Sequence, residues 1–135
     1  MIEESKFILY AEDDTDDYLF FKSSLANVRP EYQLIRASNG LDAVDYLGSI
    51  RDGNPVPELI VMDYNMPVMN GFHALKIIRS MEEYRDIPLV LFTTSTATHE
   101  LEEYHNLNIG IFWKGISLEL LGDQIIEMLA LIGKR

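Results

Sequence analysis

Two short apolar runs that end in carboxylates constrain this chain more than any other feature. The first run is Phe7–Ala11, followed by Glu12 and Asp13, and the second is Leu59–Met62, followed by Asp63. Short apolar runs without polar alternation are typical of strands that are buried on both faces of a sheet. Carboxylates crowded at the ends of such strands repel one another and resist joint ionisation. The pattern therefore predicts a bound cation where these two strands end.

Apolar runs alternate with amphipathic stretches along the whole chain. Strands are predicted at Lys6–Ala11, Tyr32–Ala37, Glu58–Met62, Leu89–Phe92 and Ile109–Trp113. Helices are predicted at Thr15–Val28, Gly40–Ile50, Gly71–Met81, Thr98–Tyr104 and Leu118–Ile132. Five strand–helix units indicate an α/β fold, a doubly wound five-stranded parallel sheet with helices on both faces and right-handed crossovers. The second strand is more polar and suits an edge, which favours the flavodoxin-like strand order 2-1-3-4-5.

The composition limits the classes of partner. The net charge of −11 argues against direct binding to nucleic acid and against adsorption to a membrane of anionic lipid. No apolar run approaches the ~18 residues of a membrane span, and the acidic segment Met1–Lys6 does not resemble a secretory leader. The chain has no cysteine, which excludes disulfides and thiolate metal sites. We expect a cytoplasmic protein with one domain over residues 1–135, whose partners are proteins or cations.

The other predicted strands bring a hydroxyl and an ammonium group to the same edge of the sheet. Thr93 follows the fourth strand and Lys114 follows the fifth, and ligands of open α/β sheets bind beyond the carboxyl ends of the strands. Glu12, Asp13 and Asp63 offer the hard oxygen ligands that suit Mg²⁺. Asp63 is also a candidate nucleophile, because aspartates form acyl phosphates. Thr93 and Lys114 suit phosphoryl oxygens, so the set predicts phosphoryl transfer.

Four segments in this order resemble the receiver domain of two-component response regulators, chemotaxis regulators among them. They are Ile8–Asp14, Leu59–Gly71, Ile87–Thr94 and Lys114. The stretch from Asp63 to Gly71 is the strongest, because its acid, proline and glycine fall at the offsets of the family. The resemblance extends over essentially the whole chain.

The resemblance implies a role for each acid of the cluster. Asp63 would be the phosphoacceptor, and Glu12 with Asp13 would be the acidic pair that binds Mg²⁺ or Mn²⁺. Asp63 would also be a metal ligand, and the backbone carbonyl of Asn65 would complete the set of metal ligands that the protein supplies.

Further roles are implied around the phosphoryl group. Thr93 would be the switch hydroxyl, and Lys114 the lysine that pairs with the phosphate. Asn65 and Ser95 occupy the two positions that modulate how fast water attacks the phospho-aspartate. Both are small and uncharged, which leaves room for that water.

The chain departs from the family pattern at two places. Gly115 follows Lys114, where the family usually has a cis-proline, so we expect a trans or locally mobile bond because a non-proline cis bond costs ~3 kcal/mol. The switch aromatic of the family corresponds to Ile111, while Phe112 and Trp113 are out of register. The phosphorylation chemistry should survive both changes, but the threonine–aromatic relay is in question.

The function implied by the resemblance is that of a phosphorylation-activated response regulator in a phosphorelay, without an output domain. A sensor histidine kinase or a histidine phosphotransfer protein would phosphorylate Asp63. The modified protein would then alter its affinity for a downstream protein through the face of the fourth helix, fifth strand and fifth helix. It would catalyse only its own phosphorylation and dephosphorylation, and whether it forms a homodimer stays open.

Two alternatives use the same residues differently. An aspartate-dependent phosphatase expects a second aspartate two residues after the nucleophile, where this chain has Asn65. A flavodoxin-like cofactor binder expects its phosphate loop after the first strand, where acids would repel a phosphate. Of the neighbouring acids, Asp14, Asp16 and Asp17 are interpreted as a solvated run, with Thr15 as the helix N-cap.

Overall fold

A parallel sheet between two layers of helices forms the protein. The computed structural model describes residues 6–94, 100–115 and 117–133. The strands are β1 Lys6–Ala11, β2 Tyr32–Ala37, β3 Leu59–Met62, β4 Leu89–Thr93 and β5 Ile109–Trp113. The helices are α1 Thr15–Val28, α2 Gly40–Ser49, α3 Gly71–Ser80, α4 Leu101–Asn106 and α5 Leu118–Leu129. A single 3₁₀ turn at Glu82–Tyr84 lies between α3 and β4 and was not predicted.

The sheet has the predicted topology. Its order is β2-β1-β3-β4-β5, and every adjacent pair is parallel. The more polar β2 lies at one edge, as its sequence indicated, and β5 lies at the other. In the last pair of strands, Leu91 is in register with Ile111, and Thr93 with Trp113.

Each face of the sheet carries its own apolar core. Phe21 of α1 and Ile125 of α5 pack on one face, whereas Leu47 of α2, Leu75 of α3 and Tyr104 of α4 pack on the other. Both faces of β1, β3 and β4 are therefore covered, which accounts for their continuous apolar sequences. Among the described helices, none is long and apolar enough to cross a membrane.

Most helices begin at a side-chain cap. Asn39, Asn70 and Ser117 accept hydrogen bonds from backbone N–H groups at the starts of α2, α3 and α5. The prediction that Thr15 caps α1 is wrong: Asp14 is the N-cap, and its Oδ1 accepts the Asp17 N–H at 3.0 Å. A carboxylate here also benefits from the positive end of the helix dipole, and Thr15 becomes the first helical residue.

Several predicted boundaries need correction. Helices α2 and α3 each end one residue before the predicted end, because residues 50 and 81 adopt extended backbone angles. Helix α5 ends at Leu129 and gives way to a turn. Helix α4 spans Leu101–Asn106, and its predicted start at Thr98 lies outside the described residues. Strand β3 begins at Leu59, while β4 extends to Thr93.

One arginine ties together the end of the sheet opposite the carboxylates. The guanidinium of Arg79 donates to the backbone oxygens of Tyr84, Arg85, Ile87, Leu107 and Asn108 at 2.9–3.3 Å. These oxygens belong to the end of the 3₁₀ turn, the segment between that turn and β4, and the connection before β5. A single side chain therefore satisfies backbone acceptors of several connections at once.

Candidate functional site

Three of the predicted site residues continue the hydrogen-bond ladder just beyond their strands. The N–H of Glu12 donates to Ala37 O, that of Asp63 to Ala11 O, and that of Lys114 to Thr93 O, at 2.9–3.1 Å. Backbone pairing thus aligns the ends of β1, β3, β4 and β5 along one edge of the sheet, with β4 between β3 and β5.

The acids meet at this edge of the sheet. Glu12, Asp13 and Asp63 each offer a carboxylate oxygen, and the three oxygens lie within 4.8 Å of one another. Glu12 is fully buried and Asp63 is 7% exposed, whereas Asp13 is exposed. Such a set of hard oxygen donors, partly open to solvent, fits a divalent cation that keeps some of its waters.

Burial makes this cluster electrostatically costly without a cation. Desolvation, aided by the charge of Asp63, raises the pKa of Glu12 to about 7, although Lys114 and the Tyr10 hydroxyl act in the opposite direction. Burial likewise raises the pKa of Asp63, against the opposing effects of Lys114, Glu12, the Tyr64 N–H and Thr93. Two neighbouring carboxyls that both resist ionisation favour a bound cation over two free charges.

The phosphoacceptor candidate Asp63 is surrounded by donors. Its Oδ1 accepts the Tyr64 N–H at 2.8 Å and lies 3.8 Å from Lys114 Nζ. The fully buried Thr93 also hydrogen-bonds to it through its side chain. A group attached to Asp63 would therefore meet a hydroxyl, an amide and an ammonium group.

Lys114 pairs most closely with two carboxylates, and this pairing was not predicted from the sequence. Its Nζ lies 2.6 Å from Glu12 Oε1 and 2.8 Å from Asp17 Oδ2, closer than its distance to Asp63. Burial alone would lower the pKa of Lys114, but hydrogen bonds to Asp17 and Glu12 raise it, so the side chain stays a cation.

The interpretation of Asp17 as part of a solvated acidic run is wrong. Asp17 precedes Phe21 and Leu25, the buried residues of α1, by four and eight positions. That spacing puts it on the stripe of the helix that faces the core, and this signal was available in the sequence. Its side chain is 41% exposed and reaches Lys114.

Arg36 and Tyr10 support the acids and were missed as well. The guanidinium of Arg36, on β2, donates to the backbone oxygens of Glu12 and Asp13 at 3.0 and 3.2 Å. The Tyr10 hydroxyl donates to Glu12 Oε1 at 2.9 Å. Arg36 fixes the loop after β1, and Tyr10 orients the buried carboxylate. The sequence did not reveal these two residues, because neither an arginine within a strand nor a tyrosine two residues before an acid is a distinctive signal.

Asn65 and Ser95 are the remaining candidates. Asn65 is exposed, two residues after Asp63, and its role as a carbonyl ligand stays a prediction. Ser95 lies outside the described residues, so its modulating role also stays a prediction.

The two departures in and after β5 have clear structural outcomes. The peptide bond between Lys114 and Gly115 is trans, like every other bond in the described residues. Ile111 packs against the core on the face that carries α2, α3 and α4, whereas Phe112 packs against the core on the opposite face, which carries α1 and α5. Because neighbours on a strand point to opposite faces, Phe112 does not replace an aromatic at position 111. Trp113 shares the side of Ile111 by this alternation and is 50% exposed.

A cavity opens beside Lys114 between α1 and α5. Its volume is about 330 Å³, and its lining includes Asp17, Phe20, Phe92 and Leu118. Phe20 and Leu118 are 48% and 59% exposed, so the mouth of the cavity is an apolar surface next to a charged site. Exposed aromatic and aliphatic side chains beside polar groups are typical of protein contacts.

Comparison with known proteins gives consistent matches. A family model described as the response regulator receiver domain matches residues 8–123. Protein-glutamate methylesterase/protein-glutamine glutaminase 1 of Methanosarcina mazei is 32% identical over 99 residues, which cover 70% of this chain and 26% of that protein. Chemotaxis protein CheY1 of Helicobacter pylori is 28% identical over 94 residues, covering 70% of this chain and 72% of that protein. The chain thus matches about a quarter of the methylesterase.

A solved structure extends the match to the fold. The Mn²⁺-bound form of response regulator Rcp1 superimposes with a TM-score of 0.80 at 25% identity, covering 96% of this chain and 96% of that chain. The fold predicted from the sequence is therefore confirmed in its strand order and its layers of helices.

Proposed function

The chain belongs to the response regulator receiver domain family of two-component signalling, and we propose that it is a switch activated by phosphorylation of Asp63. The observation that carries this proposal is the convergence of Glu12, Asp13, Asp63, Thr93 and Lys114 at the carboxyl ends of neighbouring strands. Each supplies what phosphoryl transfer to a carboxylate needs: a nucleophile, cation ligands and donors for the phosphoryl oxygens.

The phosphoryl donor is proposed to be a phosphohistidine on a histidine kinase or a histidine phosphotransfer protein. An Asp63 carboxylate oxygen attacks phosphorus, the new P–O bond forms as the P–N bond breaks, and the electron pair of that bond stays on the imidazole. The Thr93 hydroxyl and the Lys114 ammonium group would donate to the transferred oxygens. The positive charge of the ammonium group and the polar hydroxyl group stabilise the negative charge that spreads over those oxygens.

Glu12, Asp13 and Asp63 are proposed to hold the divalent cation, Mg²⁺ or Mn²⁺, with the backbone carbonyl of Asn65 as a further ligand. The burial of two of these acids and the spacing of their oxygens support this assignment, and the related Rcp1 has an Mn²⁺-bound form. The cation, when bound, neutralises charge on the phosphoryl oxygens. Asn65 and Ser95 are proposed to modulate the attack of water that removes the phosphoryl group.

The output is proposed to pass through the α4–β5–α5 face. Thr93, the last residue of β4, is in register with Trp113 at the end of β5, so a shift of Thr93 toward the phosphoryl group acts directly on this edge. Trp113, Leu101 and Leu120 are 38–50% exposed and offer apolar contacts for a protein target. Since Ile111 replaces the usual aromatic, the output does not depend on a ring at that position.

Incubation with a small acyl phosphate and Mg²⁺, followed by intact-mass spectrometry, tests the proposal. The wild type should gain one phosphoryl group that is stable in acid and labile in base, whereas Asp63→Asn should gain none. The substitution keeps the size of the side chain and removes the nucleophilic carboxylate. A wild type that gains no phosphoryl group, or an Asp63→Asn protein that gains one at the same rate, would contradict the assignment.

A further inference from the structure

Of the three carboxylates near Lys114, two belong to the acidic cluster and one does not. Nζ lies 2.6 Å from Glu12 Oε1, 2.8 Å from Asp17 Oδ2 and 3.8 Å from Asp63 Oδ1. Glu12 and Asp63 belong, with Asp13, to the cluster whose oxygens converge. Within the described residues, Asp17 does not belong to that cluster. The closest partner of the lysine is therefore also a candidate ligand of the cation.

Lysine and a divalent cation compete for the same carboxylate. Glu12 is buried, its Oε1 already accepts both Lys114 and the Tyr10 hydroxyl, and its Oε2 accepts the Asp14 N–H at 3.3 Å. A cation drawn to Glu12 would face a positive charge a few ångströms away, and like charges at that spacing repel strongly in a partly buried site. The lysine therefore needs another acceptor if it is to stay beside Asp63.

Asp17 is a pre-positioned acceptor of this kind. It lies in the first turn of α1, where its own N–H is fixed by the Asp14 side chain at 3.0 Å. The helix is anchored on the sheet by Phe21 and Leu25, both buried. A carboxylate mounted on a packed helix keeps its position while the groups at the ends of the strands exchange partners.

We propose that Asp17 is a positioning residue for Lys114, which holds the ammonium group in the site when a divalent cation takes the Glu12 carboxylate. Asp17 thereby favours cation binding, because it relieves the competition between lysine and cation. The inference deepens the proposed function, since the cation is the one that serves phosphorylation of Asp63.

The test is a comparison of two neighbouring charge removals. Asp17→Asn and Asp16→Asn change the net charge equally and lie in the same turn of α1, but only Asp17 pairs with Lys114 in the structure. Mg²⁺ affinity is measured by isothermal titration calorimetry without any phosphodonor. Because Asp17 is partly exposed, we expect Asp17→Asn to weaken Mg²⁺ binding by about five-fold more than Asp16→Asn does. Asp17→Glu should restore most of the loss.

A second background isolates the role of the lysine. Both substitutions are repeated together with Lys114→Met, in which no ammonium group competes for Glu12. There the two aspartate variants should bind Mg²⁺ equally. Equal affinities in the presence of Lys114, or a difference that persists with Lys114→Met, would overturn the role of Asp17. Either result leaves the proposed function standing if the wild type is still phosphorylated on Asp63, whereas a wild type that binds no Mg²⁺ would overturn both.

Discussion

Gly71, the first residue of α3, is expected to be intolerant of even one added methyl group. A Cβ at this position would lie 2.0 Å from the backbone oxygen of Asp63 and 3.0 Å from Met62 Cγ. Because unstrained contacts between heavy atoms need about 3.5 Å, the loop and the helix start would have to separate by more than about 1 Å. The Gly71 N–H also donates to Tyr64 O at 3.0 Å, so the separation would weaken this bond.

The Gly71→Ala substitution therefore tests whether the glycine positions the phosphoacceptor. Overpacking of this kind costs about 1–3 kcal/mol, and we expect the upper end of that range because the clash is with backbone. A misplacement of Asp63 of about 1 Å should slow phosphorylation about 100-fold. Gly48→Ala is the matched control: Gly48 lies in α2 with nothing within 4 Å of its added Cβ, so this change should stabilise the protein by about 0.5–1 kcal/mol.

Urea unfolding followed by circular dichroism gives the free energy of unfolding, and mass spectrometry over time gives the phosphorylation rate. The rate is measured under conditions in which each variant retains its folded spectrum. A Gly71→Ala protein with the stability and the phosphorylation rate of the wild type would refute the reasoning, because the loop would then be free to move without consequence for Asp63.

Two further predictions follow from groups at opposite ends of the sheet. Arg79→Lys keeps the charge but cannot donate to five carbonyls, so it should lower the free energy of unfolding by about 2–3 kcal/mol. The control, Arg85→Lys, lies at an exposed ion pair and should change the free energy of unfolding by less than about 0.5 kcal/mol. Equal effects of the two substitutions in urea unfolding would contradict this prediction. Since burial and Asp63 raise the pKa of Glu12 to about 7, protons compete with the cation, and Mg²⁺ affinity should increase up to about pH 7 and then level off. Without a divalent cation, the folded state binds more protons than the unfolded state between the ordinary glutamate value and about pH 7, so stability should fall as pH rises through that window; a flat profile in either measurement would speak against the raised pKa.

The sequence was sufficient to predict the sheet, because its signals are local and strong. Strands β1, β3 and β4 are continuously apolar, which is the pattern expected of a strand that is buried on both faces of a sheet. The acids after β1 and β3 fall at adjacent strand ends, and the lysine after β5 lies two strands from β3. Convergence of Glu12, Asp63 and Lys114 was therefore predictable from the strand order together with the length of the lysine side chain.

The partner of the lysine was not predicted, because it depends on three-dimensional competition between acceptors. Charges in the sequence suggested that Asp17 is solvated, yet the helix stripe it shares with Phe21 brings it to Lys114. Similarly, Thr15 and Asp14 are both good N-caps, and only the geometry of the loop after β1 decides between them. Helix ends were misplaced by a few residues because the last turns carry no distinctive residue.

The register of Thr93 with Trp113 gives the protein an intrinsic optical reporter. Trp113 is the only tryptophan of the chain, the residue is half exposed, and it directly precedes Lys114. Indole emission responds to nearby charge and to solvent contact, so we expect events at the end of β4 to change the fluorescence of the unmodified chain, in real time and without an attached dye.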